Sequence, residues 1–344
     1  MFPDKKILPW QLAVSSIERG LPAMLLYVLE SKGSSPGRQG FFMVVNQAGE
    51  MEGSIGGGIM EHKFTEMARD RLKEGEVLRQ LRRQVHDKEA ARDQSGMICS
   101  GEQTIFLYAL SMTDLDTMRA LVASLEQHRN GELRLSPEGL RFAAAGPTGL
   151  RPIMPEGLTP APVVPEEDYY FDRRSEEDWE YVEKTGYKDR LYIVGAGHCG
   201  LAFSRLMQTM DFYITVFDHR PDLETLLMNE HVHEKVVVGD YDELGWRIAG
   251  GGKHHYVVVM TQGYRTDDRA MRALLSKEFR YFGLLGSKAK IGRMMTDYRA
   301  EGINEDWLRR VHAPAGLAIH SQTPEEIAVS IAAEIIGVKQ GGAV

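Results

Sequence analysis

The stretch LYIVGAGHCGLAFSRLM carries Gly195, Gly197 and Gly200 in the spacing G-x-G-x-x-G, directly after an apolar run that reads as a strand and at the opening of a helical segment. In that context the first glycine makes a tight turn, the second lets backbone approach a pyrophosphate, and the third lets the helix pack closely on the sheet. The helix amino terminus, where His198 stands, adds free N–H groups and the positive end of a dipole. Asp218 closes the next strand, YITVF, where a carboxylate can accept hydrogen bonds from a ribose. The same glycines can serve backbone geometry alone, so nucleotide binding is one of two readings. Two further strand ends point to the same crevice. In Gly286-Ser287-Lys288 the serine can cap a helix and the lysine can offer charge to an anion; Thr261-Gln262-Gly263-Tyr264-Arg265 is a turn rich in donors.

The first half of the chain has its own loops, Gly33-Ser34-Ser35-Pro36-Gly37-Arg38 and Gly53-Ser54-Ile55-Gly56-Gly57-Gly58. The second leads into a helix near Ile59, so Gly56, Gly57 and Gly58 with the helix end predict a nest for phosphate or another oxyanion. Arg38 adds a guanidinium suited to bidentate phosphate recognition, and Glu61 lies close enough to orient a ligand. A third loop, Gly96 to Gly101, sets Cys99 among glycines; its thiolate is either a soft metal ligand or an inert small side chain. His231, His233, His254 and His255 form pairs, but no Cys or acidic residue accompanies them at a zinc-ligand spacing. No general acid/base pair stands at a convincing spacing, which suits a carrier better than a catalyst.

These loops need elements to hold them. Ala23 to Glu30, Phe41 to Asn46 and Glu102 to Leu110 predict strands, while Ile59 to Lys73 and Asp114 to His128 carry apolar residues three and four apart and predict helices. Together they make an N-terminal mixed α+β domain over residues 1–146. Residues 147–189, with closely spaced prolines and then EEDYYFDRRSEEDWEYVEK, read as a Pro-rich and acidic linker with a short helix around Trp179 to Glu183. Residues 190–344 alternate strand and helix through Leu191 to Val194, Tyr213 to Phe217, Lys235 to Val238, Tyr256 to Met260 and Tyr281 to Leu285. Unbroken apolar strands of this kind predict a C-terminal Rossmann-like, doubly wound parallel sheet, so the fold class is α/β.

Composition narrows the function classes. With 344 residues, 43% hydrophobic and 26% charged, the chain is long enough for two globular domains and is neither disordered nor fibrous. No apolar run approaches the roughly 18 residues of a membrane span, and MFPDKKILPW lacks the apolar core of a secretory signal, so no membrane partner and a cytoplasmic location are expected. A net charge of −8 argues against nucleic acid as a partner. Two cysteines, Cys99 and Cys199, cannot supply an iron–sulfur cluster, so any redox chemistry must borrow a cofactor. A homodimer is expected by base rate.

The assembled motifs resemble the xanthine dehydrogenase accessory family, XdhC/CoxI. GSSPGRQG, GSIGGGIMEHK and GMICSGEQ are similar to that family's N-terminal loops; LYIVGAGHCG, VFDHRP, VVVMTQGYRTDD, YFGLLGSKAK and RVHAPAGLAIHSQTPEEIAVSIAAEII follow its C-terminal Rossmann domain in order. The resemblance implies an accessory protein that binds the molybdenum cofactor (molybdopterin) as cargo, protects its sulfurated form and hands it to a molybdenum hydroxylase such as xanthine dehydrogenase. It further implies a cysteine desulfurase as a second partner, and Cys99 as a molybdenum contact. Where many members have cysteine after the triple glycine, this chain has Ile59, so a mechanism needing two thiols does not carry over. The competing expectation is an NAD(P)-dependent oxidoreductase that uses the Rossmann domain and depends on Asp218.

Overall fold

The run AMLLYVL is apolar without alternation because it forms β1 (Ala23–Gly33), a strand covered on both faces. β1 pairs antiparallel with β2 (Phe42–Asn46) and β5 (Gly101–Leu110), and β3 (Met51–Gly53) and β4 (Arg79–Val85) complete a five-stranded sheet in the order β3-β2-β1-β5-β4. Met24, Leu26 and Val28 meet Phe64, Ala68 and Leu72 of α2 (Gly58–Lys73). On the opposite face Leu25, Tyr27 and Leu29 join a second core with α1 (Ile7–Glu18) and α3 (Leu115–Glu126). The same core takes residues from an antiparallel sheet of order β7-β6-β9-β8, built from β6 (Gly131–Ser136), β7 (Gly139–Ala144), β8 (Tyr169–Arg173) and β9 (Trp179–Thr185). The computed structural model describes residues 6–76, 78–85, 101–145, 168–248 and 251–341.

That second sheet corrects the linker reading over 147–189. Its proline-rich half, up to residue 167, lies outside the described residues, but the acidic half folds as β8 and β9, and the expected helix at Trp179 to Glu183 is strand. The reason is a period of two: Trp179 and Tyr181 turn into the core while Glu180 between them is only half-buried. Trp179 packs edge-on against Phe106 at 4.8 Å, and the buried carboxylate of Glu183 accepts hydrogen bonds from Tyr27 Oη at 2.5 Å and Tyr181 Oη at 2.9 Å. Two compact units result, the first ending at Gly186 and the second beginning at Tyr187.

The second unit is the expected parallel sheet. β10 (Asp189–Val194), β11 (Phe212–Asp218), β12 (Glu234–Val237), β13 (Gly252–Val259), β14 (Phe279–Leu284) and β15 (Val311–His312) lie in the order β12-β11-β10-β13-β14-β15. Strand order therefore reverses between β10 and β13, which is where open α/β sheets bind ligands. Along β10, Leu191 and Ile193 face a core completed by α4 (His198–Met207), α5 (Glu224–Leu227) and α10 (Pro324–Lys339). Tyr192 and Val194 face the other, completed by α6 (Leu244–Arg247), α7 (Tyr264–Leu274), α8 (Lys288–Ala300) and α9 (Glu305–Arg309). Both faces of the sheet are covered, as the doubly wound reading requires. No helix among the described residues is long and apolar enough to cross a membrane.

If β9 is part of the first core, Trp179→Ala should cost about 3–5 kcal/mol and lower the urea midpoint of the first unit's unfolding transition. An unchanged midpoint would return residues 168–186 to the status of a tether.

Candidate ligand-binding site

In the first unit the predicted glycine loops come together backbone against backbone. A Cβ on Gly37 would stand 2.2 Å from the Ile55 carbonyl oxygen, and one on Gly56, whose φ is 125°, would stand 2.4 Å from the Gly37 amide nitrogen. Gly101, at the end of the third loop, is as close to Ser34 and Ser35, with 2.6 Å separations. Beneath this junction the buried Ser35 hydroxyl donates to Gln103 Oε1 at 2.8 Å. Gly33 and Ser34 are exposed at the rim, and the exposed Arg38 guanidinium donates to the Gly33 carbonyl at 3.4 Å, curling over its own loop. Cys99 and most of its loop lie outside the described residues.

The triple glycine does form a nest, and the chain fills it from within. Glu61 Oε2 accepts from the Gly57 amide at 2.9 Å, the Ile55 amide at 3.3 Å and the Ser54 hydroxyl at 2.7 Å, while Ser54 Oγ accepts from the Gly56 amide at 3.1 Å. Glu61, expected to orient a ligand, instead takes the place of one. Gly58 begins α2 at the exposed edge of the nest.

In the second unit the three glycines divide the expected labour. A Cβ on Gly195 (φ 116°) would stand 2.4 Å from the Met260 carbonyl oxygen, so this turn is pressed against the end of β13. One on Gly200 would stand 2.2 Å from the Gly195 carbonyl oxygen, which fixes α4 on the turn. One on Gly197 would meet nothing within 4 Å, so this glycine alone of the three faces open space. His198 lines a cavity of about 490 Å³ between α4 and α10, with Leu201, Arg205, Glu325 and Val329 among the other walls. Ser287 caps α8 by accepting from the Lys290 amide at 3.2 Å, and next to it Lys288 is exposed without an ion pair among the described residues. A Cβ on Gly286 would collide with Lys290 Cε at 2.2 Å, so this glycine makes room for a lysine.

Asp218 is fully buried, and its carboxylate serves the chain. Oδ2 accepts from the Ala196 amide at 2.8 Å and Arg220 Nη2 at 2.9 Å; Oδ1 accepts from the Arg220 amide at 3.0 Å and Arg220 Nε at 2.9 Å. Burial would raise its pKa, but the hydrogen bonds from Arg220 and from the Ala196 and Arg220 amides outweigh it and hold the carboxyl below its ordinary value. Arg220 Nη1 goes on to Gln262 Oε1 at 3.0 Å. A second buried carboxylate, Asp267, accepts from the Thr261 amide at 3.0 Å, the Thr261 hydroxyl at 2.6 Å and Lys290 Nζ at 2.5 Å, tying the loop after β13 to the loop after β14. A third, Glu334 on α10, accepts from Tyr281 Oη and the Gly316 amide, both at 2.6 Å, and from His312 Nδ1 at 2.9 Å. Burial opposes ionisation there too, yet the bonds from His312, Tyr281 and Gly316 keep Glu334 below the usual carboxylate range.

Arg220, Asp267, Lys290 and Glu334 were not among the expected site residues, while Gln262 lies in the donor-rich turn that was. Asp218-x-Arg220 carried a usable signal, because an aspartate at a strand end can accept from the backbone amide two residues on, as Asp218 does from Arg220 at 3.0 Å. The histidine pairs point to separate partners: His231 to Gln208, His233 to the Ile214 amide, His254 to Asp189 and His255 to Tyr192. Among the described residues no group of three His, Cys, Asp or Glu side chains is placed to hold a metal ion.

Strand order, glycine turn and crevice define a Rossmann-type protein whose sheet is preceded by an antiparallel α+β unit with interlocked glycine loops. Residues 191–335 match the XdhC Rossmann domain family, and residues 16–82 match the XdhC and CoxI family. The chain belongs to the XdhC/CoxI family. It is similar to the uncharacterized protein YqeB of Escherichia coli K12, 29% identical over 163 residues, which are 46% of this chain and 29% of that protein. It is also similar to a Bacillus subtilis protein described as a probable subunit of xanthine dehydrogenase, 28% identical over 164 residues, 48% of this chain and 47% of that one. These matches span less than half of either relative. A crystal structure of a xanthine dehydrogenase from Bacillus halodurans shares the fold over 97% of this chain and 96% of its own, with a TM-score of 0.70 at 24% identity.

Asp218 and Glu334 ionise more readily in the folded protein than their ordinary values of 3.8 and 4.5. The stability they contribute is therefore complete above those values and drains as pH falls through the lower folded-state values. Asp218→Asn should lower stability at pH 7 by about 1–3 kcal/mol and make the loss of stability below about pH 4 shallower than in the wild type. Thermal melts across pH check both; a variant as stable as wild type at pH 7 would remove Asp218 as the tether of the glycine loop.

Proposed function

We propose that the protein is an accessory factor that binds the molybdenum cofactor and assists its maturation and insertion into a xanthine dehydrogenase-type molybdenum hydroxylase. The observation that carries this reading is the interlocking of the family's own loop motifs, Gly37 on Ile55 and Gly56, and Gly101 on Ser34 and Ser35, into one backbone-lined rim. Molybdopterin, the cargo, offers a phosphate, a fused pterin and a dithiolene that chelates the metal, so a carrier needs an anion site, polar edges and a soft ligand. The open room at Gly197 beside the amino terminus of α4 fits an anion as it stands. The nest of Ile55 and Gly57 fits one only in exchange for the Glu61 carboxylate. Arg38 and the rim residues Gly33 and Ser34 supply polar contacts, and Cys99 is the soft ligand in this reading. A hydroxylase client and a cysteine desulfurase would be its partners, and a homodimer its assembly.

With NAD the oxidoreductase reading asks Asp218 to receive ribose hydroxyls, and that carboxylate is already spent on Ala196 and Arg220. Co-expressed with cofactor biosynthesis and purified without oxygen, the protein should retain molybdenum by metal analysis and pterin by fluorescence, and Arg38→Ala or Cys99→Ser should lower that retention. A preparation with neither pterin nor molybdenum would reject the carrier. Hydride transfer from NADH or NADPH in a parallel titration would favour the dehydrogenase instead.

A further inference from the structure

We propose that the crevice of the second unit is a phosphate-ester site, in which Arg220, held in place by Asp218, selects a phosphorylated ligand over one offering a free ribose hydroxyl. The proposal goes beyond the carrier reading and stands on the second unit alone.

Donor and acceptor counts carry the argument. An ionised carboxylate has about four lone-pair sites. Asp218 already accepts from the Ala196 amide, the Arg220 amide, Arg220 Nε and Arg220 Nη2, so no acceptor remains for a ribose. A guanidinium has five N–H donors. Nε and one N–H of Nη2 serve Asp218, and one N–H of Nη1 serves Gln262, which leaves one N–H on each terminal nitrogen. Two donors from one rigid plane match two oxygens of a phosphate.

Topology sets that guanidinium beside the glycine loop. β11 and β13 flank β10, so a side chain reaching from Arg220 to Gln262 crosses the carboxyl end of β10, from which the loop of Gly195 to Gly200 emerges. Gly197 leaves open space there, and the Arg220 side chain is 30% exposed. Asp218 cancels the charge of Arg220, and Asp267 that of Lys290, so selection comes from directed N–H groups and not from net positive charge. A nearby arginine is the usual way a Rossmann crevice accommodates a ribose 2′-phosphate, whereas a free acidic residue reads the hydroxyl.

Calorimetric titration of the full chain with adenosine 2′,5′-bisphosphate and with adenosine 5′-monophosphate tests the assignment. The bisphosphate should bind about tenfold or more tighter. Arg220→Lys, which keeps a cation beside Asp218 but loses the fork, should bring the two within about twofold of each other. Thermal melts establish that the variant is folded. Equal affinities, tighter monophosphate, no binding of either probe, or a preference that survives in Arg220→Lys would overturn the proposal. Pterin retention is scored separately: retention without phosphate discrimination removes the crevice assignment and leaves the carrier, while discrimination without retention removes the carrier and leaves the crevice.

Discussion

Carboxylates that accept hydrogen bonds from loop backbone hold this molecule's glycine and strand-end turns in shape. Asp218 takes the Ala196 amide, Asp267 the Thr261 amide, Glu334 the Gly316 amide and Glu61 the amides of Ile55 and Gly57. Loop amides have no ladder partner, and leaving them unpaired in a partly buried place costs as much as losing a hydrogen bond. A carboxylate answers with a charge-assisted bond, but its own burial is unfavourable unless most of its lone pairs are filled. Each acid here is therefore surrounded by further donors: Arg220, the hydroxyl of Thr261 with Lys290, Tyr281 with His312, and Ser54.

The glycines follow from the same constraint. Once Asp218 draws Ala196 inward, the turn before it lies against the end of β13, and no Cβ fits at Gly195. Once Glu61 gathers the amides of residues 55 and 57, the loop must run with positive φ at Gly56, and it presses on Gly37 so closely that the companion loop needs glycine as well. The motif glycines make these tethers possible, and the acids give the glycines a single conformation.

How much of this was legible in the sequence depends on the range of the interaction. β1, β5 and the strands of the second unit were readable because an apolar run announces burial locally. α2 and α3 announced themselves by spacing, and the turn of Gly195 by its strand-to-helix context. β9 is hard to read because WEYVEK is short and acidic; it pairs with β8 nearby, but its other partner, β6, lies more than forty residues earlier, so no local window contains the whole sheet. Asp218 was found but given a ligand's work, because position on a strand does not reveal that Arg220 folds back onto it. Asp267 and Lys290 stayed hidden for the same reason: twenty-three residues separate them, and the link exists only once β13 and β14 are neighbours.

The two glycine loops differ in what a ligand must do to enter them. At Gly197 an anion would meet open space and donors that need no new vacancy, so its binding energy would be reduced only by desolvation and ordering. At Gly57 it must expel a carboxylate that already satisfies the same amides, and its net gain is the difference between two similar sets of charge-assisted bonds. A small difference means exchange in both directions. Under the proposed carrier function, in which a cofactor is held and then surrendered, a nest with a resident competitor would keep the backbone ordered in either state, so release would leave no unpaired amides behind.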